Sequence, residues 1–118
     1  MPGPFTLRWT PEALAQYEEL KAKAAASLRI RKISRRAKAK RDEGLFKQVH
    51  KTLTHLAADP RHPGLRTHEY TSLSNPVNSR QKVFEAYAQN WTPGAYRVFW
   101  CYGPQEDQLT IIAITPHP

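Results

Sequence analysis

Acidic side chains are scarce in this sequence. Ten Asp and Glu stand against eighteen Lys and Arg in 118 residues, a formal net charge of +8 with the five histidines neutral. Such a balance favours a polyanion, an acidic protein segment or an anionic surface as counterpart. Cysteine occurs once, at Cys101, so no disulfide can close within the chain and a reducing, cytoplasmic setting is expected. No apolar run approaches the ~20 residues of a membrane-spanning helix, and no signal-peptide core is present, so no membrane partner is expected. There is no internal repeat, P-loop, glycine-rich dinucleotide turn or nucleophile elbow. His50 and His55 are five positions apart and do not share a helical face, so they form no zinc pair. No metal and no cofactor is expected. With 40% apolar residues the chain can build one core, and residues 1–118 read as a single domain.

The first half reads as a strand and two helices. FTLRW (5–9) alternates apolar and polar residues, the period of a short edge strand. Thr10 supplies an N-cap hydroxyl, Pro11 loses nothing at the first helical position, and Glu12 meets the positive end of the helix dipole. Leu14, Tyr17 and Leu20, with Ala13 and Ala24, form one helical face. Ten of the eighteen Lys and Arg fall between Lys21 and Arg41, and a long basic helical segment is predicted over 21–43. Its apolar stripe is thin, only Leu28, Ile30 and Ile33 beyond alanine. Two readings stay open for it: a surface that tracks a phosphate backbone, with Arg35 and Arg36 among its contacts, or a solvated helical extension. Gly44 predicts a turn between helices. A second helix over 45–58 aligns Leu45, Phe46, Val49, Leu53, Leu56 and Ala57, leaving His50 and His55 facing solvent. Asp59 before Pro60 ends it.

The rest reads as strands. RTHEYTSL (66–73) is a strand with charge on both faces, and SNPVNSR (74–80) a polar loop. Three β-branched and aromatic runs follow, 81–89, 95–102 and 108–115, separated by Pro/Gly-bearing turns. Helices gathered at one end of the chain and strands at the other predict an α+β fold: two N-terminal helices packed on one face of a twisted antiparallel sheet of four to five strands, the other face partly open.

One residue stands out chemically. Arg97 sits inside YRVFW, where an unpaired cation is costly. Side chains alternate, so Val98 and Trp100 share one face while Arg97, Phe99 and Cys101 share the other. If the helices cover the first face, Arg97 points to the open one. Glu85 or Lys82 on the neighbouring strand is then within cross-strand reach, since opposed Cβ atoms sit ~5 Å apart. Either Arg97 staples two strands through Glu85, or it meets an anionic ligand. His117, flanked by Pro116 and Pro118 at the end of the last strand, is either a proton carrier or a tail residue. His62, Arg66 and His68 cluster before the second strand and fit the lining of a basic cleft.

The sequence resembles the RelE/ParE superfamily of bacterial type II toxins over most of its length. The resemblance rests on FTLRWTPEALAQYEEL, on FKQVHKTLTHLAADPRHPGL, on AYRVFW with its arginine, and on LTIIAITPHP with its late histidine. It implies the α+β fold above and a toxin held by a cognate antitoxin protein. RelE-type members are metal-independent endoribonucleases that cut mRNA on the ribosome, the ribose 2′-OH attacking the adjacent phosphate. Carried over by position, Arg97 matches the arginine that stabilises charge on the scissile phosphate, His117 a C-terminal histidine that serves as general acid or base, and Glu85 the acidic residue that serves as base in some members. Arg66, His68 and Lys82 are candidate phosphate-binding residues. The lysine-rich strand of the RelE type is absent, and the basic helical hairpin is longer than usual. ParE-type members inhibit DNA gyrase without nuclease residues, so a gyrase-binding inhibitor or a catalytically inert nucleic-acid scaffold is the alternative.

Overall fold

A computed structural model describes residues 4–33, 37–90 and 93–117, with side chains throughout except at positions 28, 30–33 and 37–40. Arg35 and Arg36 lie outside the described residues. The element order is β1 (Thr6–Trp9), α1 (Pro11–Ile33), α2 (Ala37–Ala58), a 3-10 turn (Pro63–Leu65), β2 (His68–Glu69), β3 (Phe84–Tyr87), β4 (Tyr96–Tyr102) and β5 (Gln108–Pro116). The strands form one sheet in the order β1-β5-β4-β3-β2. The fold is α+β as expected, with β1 at an edge. The sheet is mixed rather than wholly antiparallel, because β1 runs parallel to β5. A helical hairpin between β1 and the later strands returns the chain in a way that allows this parallel pairing.

The start of α1 does two jobs. Thr10 caps the helix, its hydroxyl oxygen accepting from the Ala13 N–H at 3.0 Å. The same hydroxyl donates to the Ile112 carbonyl at 2.8 Å. Farther along α1 the Gln16 side-chain amide oxygen accepts from the Ile114 N–H at 2.7 Å. Beyond the reach of β1, these two side chains satisfy the backbone of β5 that no strand covers.

Ala13 and Leu20 of α1 and Val49, Leu53 and Leu56 of α2 are buried against Ala86, Val98, Trp100, Leu109, Ile111 and Ile114 of the sheet, and Ala24 of α1 is buried as well. Leu14, expected on the buried face, is 45% exposed; Ala13 takes that place. Gly44 does not form a turn. It lies inside α2, which begins at Ala37, so the basic run is divided between the two helices. A glycine inside a helix costs only ~0.5–1 kcal/mol relative to alanine, which the buried stripe on its C-terminal side outweighs. Farther along the hairpin, Ser27 donates to Asp42 at 3.3 Å, a polar contact where the apolar stripe thins.

The other sheet face carries a smaller cluster of Val83, Phe99, Cys101, Ile112 and Ala113 with Tyr70 against it. A bulge joins the two faces. The β4–β5 pairing steps from Phe99↔Ala113 to Trp100↔Ile111, leaving Ile112 as an extra residue. Ile111 and Ile114 therefore both face the helices, while Ile112 and Ala113 both face away.

The strand expected over 66–73 shrinks to His68–Glu69, and that over 81–89 to Phe84–Tyr87. The reason lies on either side. His62 caps the 3-10 turn by accepting from the Gly64 N–H at 2.9 Å, and Arg66 closes it in the left-handed region at φ 52°. After Tyr70, the Asn75 carbonyl oxygen accepts from the N–H groups of Val77 and Asn78 at 2.8 and 3.0 Å, holding the chain in a loop.

Candidate active site

On the sheet face away from the helices, β3, β4, β2 and the end of β5 bring five of the predicted residues together. The cross-strand register sets Tyr87 opposite Arg97 and Glu85 opposite both Phe99 and His68. Glu85 is the centre. Its side chain is 1% exposed, yet it lies within ion-pair distance of three cationic or titratable groups. His68 Nε2 is 2.6 Å from Oε1, His117 Nε2 is 3.3 Å from Oε2, and Arg97 Nε is 3.9 Å from Oε2. Neither carboxylate oxygen receives an N–H along a good hydrogen-bond line, and Arg97 Nε has no acceptor. These contacts are close electrostatic approaches rather than a closed hydrogen-bond network. A buried polar atom left without a partner costs about 1–3 kcal/mol, more when charged, so stability alone gives no reason to keep this arrangement.

Arg97 faces the open side, as the alternation of YRVFW requires, but it does not project into solvent. It is 8% exposed. Its Nη1 donates to the Gln89 carbonyl at 2.7 Å and the Tyr96 carbonyl at 3.3 Å. The guanidinium carbon lies 3.7 Å from the centroid of the Tyr87 ring. Stacking and two carbonyls hold the cation in place and leave its Nε directed toward Glu85. The two imidazoles are the accessible members of the cluster, with side-chain exposures of 48% at His68 and 44% at His117. His68 also meets the Tyr87 ring edge-on at 5.5 Å between centroids. The backbone N–H of His117 donates to the Ala95 carbonyl at 2.8 Å, so this last histidine is tied to the sheet rather than to a free tail.

Arg66 reaches the same site from the 3-10 turn. Its guanidinium lies 5.4 Å from the Tyr87 centroid, on a ring already stacked on Arg97, and Nη1 donates to Asn90 at 3.4 Å. Lys82 does not join. Its ammonium lies 3.8 Å from Glu69 and is 67% exposed. Sequence reasoning missed Tyr87 as a site residue. The signal was available: Tyr87 shares the two-residue period of Glu85, and an aromatic on that face beside an arginine strand is the natural platform for a guanidinium. Gln89 and Asn90, which meet the arginines just past the end of β3, carried no such signal.

The order of strands and the helical hairpin on one face make up a fold seen in known toxins. Two solved structures share it: the YoeB dimer from Staphylococcus aureus, with a TM-score of 0.55 and 10% identity over 98% of this chain and 100% of that one, and the YoeB/ParE toxin from Agrobacterium tumefaciens, with a TM-score of 0.54 and 10% identity over 97% and 100%. No protein-family model and no curated protein matches the sequence. Among the described residues, no helix is long and apolar enough to cross a membrane.

Proposed function

We propose that this chain is the toxin of a type II toxin–antitoxin pair and acts as a metal-independent endoribonuclease on ribosome-bound mRNA. The observation that carries the reading is Glu85: a carboxylate 1% exposed, with neither oxygen hydrogen-bonded, beneath two half-exposed imidazoles and beside an arginine. Cleavage by a ribose 2′-OH needs a base for the hydroxyl proton, an acid for the 5′-oxygen, and positive charge near the phosphate. His68 and His117 supply the base and the acid. One takes the 2′-OH proton as that oxygen attacks phosphorus. The other protonates the 5′-oxygen as the P–O5′ bond breaks, leaving a 2′,3′-cyclic phosphate and a 5′-hydroxyl. Glu85 lies too deep to meet substrate first; it orients both imidazoles and stabilises whichever is protonated. Arg97, held beside Glu85, supplies positive charge beneath the pentacoordinate phosphate, and Arg66 binds a neighbouring phosphate. The antitoxin is an acidic segment suited to a surface of net charge +8.

A second reading has its own support. Arg97 is 8% exposed and already gives Nη1 to two carbonyls, which suits a staple in a non-enzymatic, ParE-type gyrase inhibitor. Arg97→Ala separates the two. The nuclease reading expects a loss of ~10²–10³-fold in RNA cleavage, the scale of one transition-state donor, together with loss of growth arrest and retention of the folded circular-dichroism spectrum. Full cleavage by the folded variant rejects that role for Arg97. Blocked supercoiling with uncut RNA from the unaltered protein establishes the gyrase reading instead.

A further inference from the structure

Tyr87 is a half-buried aromatic that belongs to neither apolar cluster. Its ring meets charge instead. The guanidinium carbon of Arg97 lies 3.7 Å from its centroid and that of Arg66 5.4 Å, and the His68 imidazole meets it edge-on at 5.5 Å. A guanidinium settles on an aromatic face because it is planar, weakly hydrated and drawn to the negative face of the ring. One such contact is an ordinary seat for an arginine. Two on one ring bring like charges together, since the two distances added put the guanidinium carbons no more than 9.1 Å apart. Self-repulsion alone would spread such charges. The backbone under the ring is fixed from the covered side, where Thr52 of α2 donates to the Tyr87 carbonyl at 3.4 Å.

Arg66 bears a second cost. Among the described residues it is the one non-glycine residue at positive φ, 52°, where it closes the 3-10 turn. Glycine or asparagine suits that place better, because a Cβ is crowded in the left-handed region. A residue held at a backbone cost beside a like charge points to a use for its side chain. Arg66 is exposed while Arg97 is buried, so the pair offers one cation at the surface and one beneath it. A single phosphate meets only one of them. A strand with successive phosphates, one sugar apart, meets both.

We propose that Tyr87 is a positioning residue that sets Arg66 and Arg97 at a fixed spacing, so that the site grips two successive phosphates of one strand. The scissile phosphate lies over the group around Glu85, with Arg97 beneath it, and its neighbour lies on Arg66. The proposal deepens the endoribonuclease reading and rests on it for which bond breaks, while the grip on two phosphates is separable from cleavage. Substrate recognition then requires a charged linkage beside the cut, whatever base it carries. The ring face does this work, and the phenol hydroxyl takes no part.

The probe is the deoxy trinucleotide TpTpT, which lacks the 2′-hydroxyl and so cannot be cut, titrated calorimetrically into the full chain. Two further versions carry a neutral methylphosphonate in place of one or the other phosphate. Neutralising either linkage is expected to weaken binding to the native sequence about tenfold, the scale of one charge-assisted contact. Arg66→Gly fits the left-handed turn, so it is expected to keep the urea midpoint and to bind all three versions nearly alike. Arg61→Ala removes an equal charge from an exposed position just before the same turn and keeps the tenfold difference. Tyr87→Phe keeps it too, because the ring remains, and Tyr87→Leu loses it although bulk is preserved. Failure of the nuclease reading looks different: ribosome-bound mRNA stays uncut by the native protein while the tenfold difference persists. No binding of TpTpT at millimolar concentration, equal affinity of the native protein for the three versions, or a difference that survives in Arg66→Gly or Tyr87→Leu overturns the proposal. So does one lost as fully in Arg61→Ala as in Arg66→Gly, which would mark general attraction to a basic surface.

Discussion

β4 serves two faces that are finished differently. Toward the helices it sends Val98 and Trp100 into a core where Ala86, Leu56, Leu109 and Ile111 are buried around them. Away from the helices it sends Phe99 and Cys101 into a small apolar cluster and Arg97 into the group around Glu85. The covered face is closed by packing, with the buried, unpartnered Trp100 Nε1 its exception. Among the described residues, the other face holds a buried carboxylate and guanidinium beside two imidazoles and a tyrosine ring. Apolar contact is sufficient reason for the first arrangement. For the second, apolar contact is no such reason, and under the nuclease reading a bound phosphate supplies one.

That contrast breaks or sharpens under substitution. The largest effect is expected at Leu56, fully buried in α2. Leu56→Ala should cost about 2–5 kcal/mol of stability, read as a lower urea midpoint, while on the nuclease reading cleavage per folded molecule stays the same. A selective loss of cleavage there would erase the distinction between faces.

A smaller effect belongs to Cys101 on the opposite face. Burial pushes its thiol from 9.0 up to about 11, partly offset by a hydrogen bond from Asn75. The folded state holds the proton more tightly than the unfolded chain. The stabilisation is therefore complete below pH 9 and is lost as pH rises toward 11, by roughly 2–3 kcal/mol at most. Urea midpoints between pH 8 and 10.5 should fall more steeply for the native sequence than for Cys101→Ala. Equal slopes would mean that the thiol is not sealed by the apolar cluster.

The smallest effect lies at the C-terminal end of α2, where His55 stacks on His62 at 4.1 Å between ring centroids. Burial, then His62, then Lys51 lower the His55 pKa below 6.5. The unfolded chain binds that proton more readily, so the contribution is intact above pH 6.5 and declines as pH falls below it. An NMR titration should place His55 below 6.5 and show it rising in Lys51→Ala. A His55 that titrates normally would remove this pair as a source of acid sensitivity.

Much of this architecture was legible in the sequence because it follows from period and capping. Thr10-Pro11-Glu12 marked a helix start that the structure keeps, and the two-residue alternation of YRVFW put Arg97 on the face away from the helices. Glu85, Arg66, His68 and His117 were named as candidates and do converge. What failed has physical causes. Gly44 looked like a stop, but a glycine's local preference is weak against a helix whose stripe is buried. The depth of Arg97 was invisible, since alternation gives direction and not the height of the neighbours. Lys82 was as plausible as Arg66 on charge alone, and only the short β2 and β3 set them apart.

The extra residue in β5 has an effect at the end of the chain. Leu109 and Ile111 lie inward, so an uninterrupted strand would also turn position 117 toward the helices. Ile112 and Ala113 spend two successive positions on the outer side, and the parity of every later residue is inverted. The last imidazole reaches the carboxylate of Glu85 because the strand miscounts by one. Chain length between Ile111 and His117 is thus a chemical variable, and losing one residue there would swap which side of the sheet holds the histidine while leaving the composition of the site untouched.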